Sequence, residues 1–272
     1  GRLSRECVFL QLLIGWHRLS VKLALLALSA WTEIIQRKST RASKTYLSMS
    51  TFHPHFEILP SAQIQLWKEL QPLKKLGFVL YGGTALALRL GHRVSVDFDF
   101  FIEKKLKHAE IKNTLPFLSK AIVIQDEPNA FSALISYPNF EPGHVKVSFF
   151  GDIGFGRVGT PQASEDGIMQ VASLDDLMAT KLKVILQRAE AKDYGDIAAM
   201  INEGVSLSKG LAAARAIFGP NFQPSESLKA LTYFEDGDLS SLTESQKEVL
   251  IQAAVAVRDL PIVEILSKCL TA

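Results

Sequence analysis

The segment that most restricts this chain is Phe78-Val-Leu-Tyr81-Gly82-Gly83-Thr84-Ala-Leu-Ala-Leu-Arg-Leu90-Gly91, followed after His92 and Arg93 by Val94-Ser-Val-Asp97-Phe-Asp99-Phe-Phe101-Ile102. Its four opening apolar residues suit a short buried strand, and the glycine pair suits a tight turn. Thr84–Leu90 then reads as a short helix closed by Gly91. Residues 94–102 alternate, which predicts Val94, Val96, Phe98 and Phe100 on one face of a strand and Ser95, Asp97 and Asp99 on the other. Two rises, ~6.6 Å, separate Asp97 from Asp99, so their carboxylates can converge on one hard cation. On an otherwise apolar strand such a pair is costly unless a cation or donor compensates it. Mg²⁺ (or Mn²⁺) fits, being held by one or two carboxylates together with substrate phosphates. The strand–Gly82-Gly83–helix turn offers backbone N–H groups to a phosphate, with glycine allowing close approach. Taken alone, the same residues also describe a surface strand with solvated aspartates.

Composition narrows the alternatives. The 272 residues are 47% hydrophobic and 21% charged, enough apolar content for a packed core and incompatible with a disordered chain. Two cysteines, Cys7 and Cys269, cannot build a disulfide framework or a cysteine zinc site, which fits a reducing, cytoplasmic setting. The six histidines form no HExxH-like pair; His53 and His55 merely flank Pro54. Charge is uneven. Residues 1–48 carry eight Lys/Arg against two Glu, whereas the remainder carries 22 basic and 26 acidic residues. The globular part is therefore mildly acidic, and any nucleic-acid-binding surface must come from local clustering.

Residues 1–48 are expected to be an N-terminal extension outside the core. Apolar runs at 8–16 and 19–31 are interrupted by His17, Arg18 and Lys22 and fall short of the ~20 residues a membrane span needs. A basic amphipathic helix or a targeting signal are the other readings of this stretch. From Met49 onward two domains are expected, a mixed-sheet domain at 49–165 and a helical domain at 166–272. Helices are predicted at 61–76, 84–90, within 104–119 until Pro116, and at 173–189, 193–203, 207–217, 225–234, 243–258 and 261–270. Strands are predicted at 78–81, 94–102, 121–125, 131–137 and 144–150.

Within 173–189, helical periodicity places Leu174, Leu177, Met178, Lys181, Ile185 and Arg188 near one face. An inward lysine needs an anionic partner. A nucleotide phosphate would serve, as would Asp193 or Asp196 of the next helix.

Tyr81–Phe101, with its Gly-Gly-Thr turn, Arg93, Ser95 and Asp-Phe-Asp strand, resembles the first motif of the AbiEii-type nucleotidyltransferases, polymerase-β-like enzymes that include toxins of type IV toxin–antitoxin systems. Lys181–Arg188 and Lys192-Asp193-Tyr194-Gly-Asp196 resemble the family's later Lys/Arg helix and Asp-aromatic-x-Asp turn, and Leu228–Asp236 resembles a C-terminal segment of one branch. The resemblance covers about 57–260. It implies an α+β fold, with a polymerase-β-like nucleotidyltransferase domain containing a mixed sheet and a C-terminal helical domain. It also implies transfer of a nucleoside monophosphate from an NTP to an acceptor hydroxyl, with RNA or tRNA as acceptor and an antitoxin protein as partner. The candidate catalytic residues are Asp97, Asp99, Lys181, Asp193 and Asp196. The candidate nucleotide contacts are Gly82, Gly83, Thr84, Arg93, Ser95, Lys181 and Arg188, with Asp97 and Asp99 as metal ligands.

One departure stands out. Such transferases generally carry a third carboxylate on a later strand. On His144–Phe150, alternation puts Val145, Val147 and Phe149 in the core and Lys146, Ser148 and Phe150 opposite, so Ser148 occupies the expected acidic position. Asp152 shares its parity beyond Gly151. A non-catalytic nucleotide- or partner-binding relative is therefore the main rival, ahead of a glycosyltransferase, whose doubly wound fold needs more βα units than this chain supplies.

Overall fold

A computed structural model describes residues 51–141 and 143–272, so the expectations for 1–48 lie outside the described residues. Its centre is a mixed eight-stranded sheet ordered β1-β7-β8-β2-β3-β6-β5-β4. The strands are β1 (Thr51–Phe52), β2 (Val79–Tyr81), β3 (Asp97–Phe101), β4 (Ile122–Glu127), β5 (Ala130–Ser136), β6 (His144–Phe150), β7 (Gln162–Ser164) and β8 (Gln170–Val171). β2 and β3 pair antiparallel, whereas β3 and β6 run parallel. The fold is α+β with a mixed sheet, as expected.

The helices are α1 (Ser61–Trp67), α2 (Gln71–Leu76), α3 (Gly82–Leu90), α4 (His108–Thr114), α5 (Leu174–Val184), α6 (Ala191–Asn202), α7 (Leu207–Phe218), α8 (Pro224–Ala230) and α9 (Glu244–Ala256). Local chemistry sets their ends. Ser173 caps α5 by accepting from the Asp176 N–H, and Thr243 and Gln246 form a reciprocal capping box on α9. Gly91 ends α3 in the left-handed conformation.

Strand parity decides the core. Phe98 and Phe100 of β3 and Phe149 of β6 are fully buried, with Phe100 and Phe149 stacked at 5.3 Å and Phe131 against Phe149 at 6.1 Å. The opposite face of β3 and β6 carries Asp97, Asp99 and Phe101 beside Lys146, Ser148 and Phe150, pair by pair.

Several sequence expectations need correction. β3 starts at Asp97, so Val94 and Val96 lie outside it and are exposed. α5 ends at Val184, which puts Arg188 in the connection to α6 instead of on the helix face. The expected helix at 261–270 does not form, because tertiary partners claim its backbone. The Arg157 N–H donates to the Ser267 carbonyl at 2.8 Å, the Leu266 N–H returns to the Arg157 carbonyl at 2.8 Å, and Arg157 Nε reaches the Cys269 carbonyl at 3.0 Å. The short strands β1, β7 and β8 carry too few residues to show a period. Among the described residues no helix is long and apolar enough to cross a membrane.

Candidate active site

The site forms where the polar face of β3 and β6 meets the N-terminus of α3 and the C-terminal half of α5. A cavity of about 450 Å³ opens there, with Asp97, Asp99, Lys146, Arg93, Lys181 and Arg188 among its walls. Tyr81, Phe101 and Phe150 line it as well. Tyr81 stacks on Phe101 at 4.7 Å, and Phe101 meets Phe150 edge-on at 5.3 Å. Because Asp97, Asp99 and Phe101 follow one another on a single strand face, one end of the cavity is charged and the other aromatic.

The glycines let two side chains close on α3. Gly82 has a φ of +75°, and a Cβ there would stand 2.5 Å from Asp99 Oδ2. A Cβ on Gly83 would stand 2.6 Å from Arg93 Nη2 and 3.1 Å from Ser95 Oγ. Any other residue at either position would displace a group that lines the cavity. The Asp99 carboxylate thus lies against the first turn of α3, where the helix dipole favours negative charge. Thr84, fully buried, donates its hydroxyl to the Asp97 carbonyl and stands 2.9 Å from Ser95 Oγ. It fixes the start of β3, so its side chain is a positioning group.

Asp97 and Asp99 have neither an ion pair nor a side-chain hydrogen bond among the described residues. Burial, and after it the charge of Asp97, pushes the Asp99 carboxyl above its ordinary value, although Lys146, Lys181 and Arg188 pull the other way. A carboxylate pair in this condition suits a divalent cation, which would remove both penalties. Among the described residues no group of three or more His, Cys, Asp or Glu side chains is arranged around a metal position, so phosphate and water oxygens would have to complete the shell. Magnesium accepts such a shell.

The second aspartate pair differs. Asp193 and Asp196 of α6 are completely buried and saturated with cations. Lys181 Nζ lies 2.6 Å from Asp193 Oδ1 and 2.7 Å from Asp196 Oδ2. Arg188 Nε donates to Asp193 at 2.9 Å. Arg93 grips Asp196 with Nε at 2.6 Å and Nη2 at 2.8 Å, and His92 Nε2 lies 2.7 Å from the same carboxylate. Burial opposes ionisation of both, but the surrounding cations outweigh it and hold both carboxyls below the usual range. Of the two partners that sequence reasoning allowed Lys181, the aspartates are present. Lys181 nevertheless keeps an edge in the cavity wall.

All the candidate residues therefore gather in one place, but in two layers. Asp97, Asp99, Gly82, Gly83, Arg93, Ser95, Lys181 and Arg188 line the cavity. Asp193, Asp196 and Thr84 stand behind them. Sequence reasoning missed Lys146 and His92 as members of the site. Lys146 pairs in register with Asp97, and its parity with Ser148 was the available signal. Ser148 pairs with Asp99, and its Oγ is buried without a hydrogen-bond partner among the described residues. Asp152 does not line the cavity. It adopts a φ of +58° and accepts from Asn129 Nδ2 at 3.3 Å.

Comparison with known proteins bears on this arrangement. An uncharacterized protein of Aquifex aeolicus (strain VF5) is 30% identical over 161 residues, covering 58% of this chain and 74% of that protein. A candidate nucleotidyltransferase from H. pylori superposes with a TM-score of 0.47 at 20% identity, covering 71% of this chain and 90% of the other. MenT4, a nucleotidyltransferase toxin from Mycobacterium tuberculosis H37Rv, superposes with a TM-score of 0.49 at 12% identity, covering 72% and 84%. The profile described as nucleotidyl transferase AbiEii toxin, type IV toxin–antitoxin system, matches residues 65–249. That match takes in the Gly82–Phe101 turn and strand together with the Lys181–Asp196 ion-pair layer, and the chain belongs to the AbiEii nucleotidyltransferase toxin family.

Proposed function

We propose that this chain transfers a nucleoside monophosphate from an NTP to a hydroxyl of an RNA acceptor such as tRNA, as a cytoplasmic toxin restrained by an antitoxin protein. The observation that carries the reading is the Asp97/Asp99 pair, without an ion-pair partner, facing a cavity whose charged end also carries Arg93, Lys146, Lys181 and Arg188. Asp97 and Asp99 would hold Mg²⁺ or Mn²⁺, which when bound neutralises phosphate charge and orients the leaving group. Lys146, Arg93 and the edges of Lys181 and Arg188 bind the triphosphate electrostatically. The apolar end, Phe101 and Phe150, excludes water and takes the sugar or base. Lys181 and Arg93 can serve two masters only because Asp193 and Asp196 hold them in place. Those aspartates are positioning residues in this reading, too well paired to accept a proton near neutral pH. The acceptor hydroxyl attacks the α-phosphorus, the P–O bond to the β-phosphate breaks, pyrophosphate leaves, and the hydroxyl proton passes to solvent or to the acceptor's own groups.

The test is incubation with RNA and each NTP carrying its label in the α- or the γ-phosphate. Label from the α position entering RNA, with pyrophosphate released, supports the reading; label from the γ position would mean phosphoryl transfer instead. A second reading rests on Ser148, which leaves the sheet one carboxylate short. In a non-catalytic relative, NTP and Mn²⁺ bind in calorimetry but no label moves.

A further inference from the structure

Outside the active site, four exposed lysines gather around one groove, beside Glu110. Lys75, Lys104, Lys105 and Lys107 border a small groove of about 230 Å³ at the C-terminal end of β3, floored by Leu76, Phe78, Ile102 and Leu106. All four lysines are exposed. Lys75 and Lys105 have no ion pair among the described residues. Lys104 stands 4.0 Å from Glu103, and Lys107 stands 3.4 Å from Glu110, each with its side chain mostly in solvent. Outside residues 1–48 the chain has an acidic excess, so this cluster runs against the bulk charge.

The backbone that presents these lysines is fixed. The Asp152 N–H donates to the Lys104 carbonyl at 2.8 Å, the Ile153 N–H to Ile102 at 3.2 Å, and the Leu106 N–H to Asn129 Oδ1 at 3.3 Å. Gly151 lets this loop pack close, since a Cβ there would stand 2.8 Å from the Lys104 carbonyl oxygen. Three lysines on a clamped loop form a charged surface whose ordering cost is largely met by folding.

We infer that the Lys75/Lys104/Lys105/Lys107 cluster binds the sugar–phosphate backbone of the RNA acceptor. This rests on the proposed transferase reading. Lysines without arginine act as point charges and do not read planar groups, which favours sequence-independent phosphate contact. The groove is too small to enclose a nucleotide. Position supports the same partner, because Lys104 follows Asp99 by five residues, at most ~17 Å along the chain. Phe78 and Ile102 belong to the face opposite Asp97 and Asp99, so the RNA backbone rounds the end of β3 between cavity and cluster.

The test uses the full-length chain with lysines 104, 105 and 107 replaced together by glutamine (K104Q/K105Q/K107Q). Binding of a fluorescent RNA is measured from ~50 to ~200 mM salt, beside calorimetry of NTP and Mn²⁺. The expected result is weaker RNA binding and a log–log salt slope shallower by about two to three, with NTP and Mn²⁺ binding unchanged. Unchanged RNA affinity and slope, with NTP binding intact, overturns the cluster while leaving the transferase reading standing. Wild-type protein that binds NTP but no RNA overturns both the acceptor and the cluster. Loss of attachment to anionic lipid vesicles or to polyglutamate, with RNA binding unaffected, also overturns it and assigns the cluster to that other polyanion.

Discussion

Two pairs of aspartates sit within one site and are treated in opposite ways. Asp97 and Asp99 lie two residues apart on a strand, half-open to a cavity, and no cation of the described chain closes on them. Asp193 and Asp196 lie three apart on a helix, fully buried, and four basic side chains converge on them. Residue type and spacing are nearly the same. What differs is who supplies the counter-charge: the fold supplies it to the helical pair and withholds it from the strand pair. A fully satisfied carboxylate is a structural element, whereas an unsatisfied one that the fold has already desolvated is ready for a ligand.

The sharpest way to break this contrast is to neutralise the strand pair. Asp97→Asn or Asp99→Asn should lower transfer by roughly 10²–10³-fold or more, on the scale of losing a principal electrostatic contact in the transition state. Thermal melting should hold or rise, since like-charge repulsion is relieved. Wild-type turnover in either variant would end the metal assignment. The helical pair should respond the other way. Lys181→Ala leaves two buried carboxylates short of a partner, and unfolding titrations should show a loss of about 3–5 kcal/mol. A loss below ~1 kcal/mol would mean that Arg93, His92 and Arg188 suffice alone.

A smaller effect is expected at Ser148, which stands between the two regimes. Ser148→Asp adds a third carboxylate beside Asp99. The free protein should become less stable by like-charge repulsion, and Mn²⁺ affinity should rise by about tenfold, as for an added ligand. Tighter metal without faster transfer would favour the binding-only relative. The smallest effect is on pH. The Asp99 carboxyl is raised, so the native state holds a proton that the unfolded state has released, and stability falls as pH rises from the ordinary carboxylate value toward the raised one. Asp99→Asn removes that loss. Its stability advantage over wild type should grow as pH rises above ~4 and vanish below it, and Mn²⁺ binding to wild type should weaken on acidification through the same window. The carboxyls of Asp193 and Asp196 are lowered instead, so the stability they contribute should persist above ~4 and be lost only as pH falls below it.

What the sequence determined by itself is what repeats locally. Alternation along β3 put Asp97 and Asp99 on one face, and along β6 it put Ser148 opposite the core residues, while the β3–β6 register that joins the two faces came from the fold. The glycine pair marked where a backbone must be approached closely. Apolar period located α1 through α9 but not all their ends: the helix expected at 61–76 divides into α1 and α2, the one at 104–119 shortens to His108–Thr114, α5 stops at Val184, and the period misled outright at 261–270. Even the glycines carried only half their meaning in sequence. They suggested a phosphate cradle, while the structure shows them admitting the Asp99 carboxylate and the Arg93 guanidinium. The pairing of charges was not legible. Arg93 and Asp196 are 103 residues apart and His92 and Asp196 are 104 apart, and periodicity does not reach across such a distance. Lys181 could have met phosphate or carboxylate with the same helical phase. Only the packing of α5 and α6 against α3 decided it, because ion pairs depend on distance in space, and that distance is set by the tertiary contacts of the elements that carry the charges.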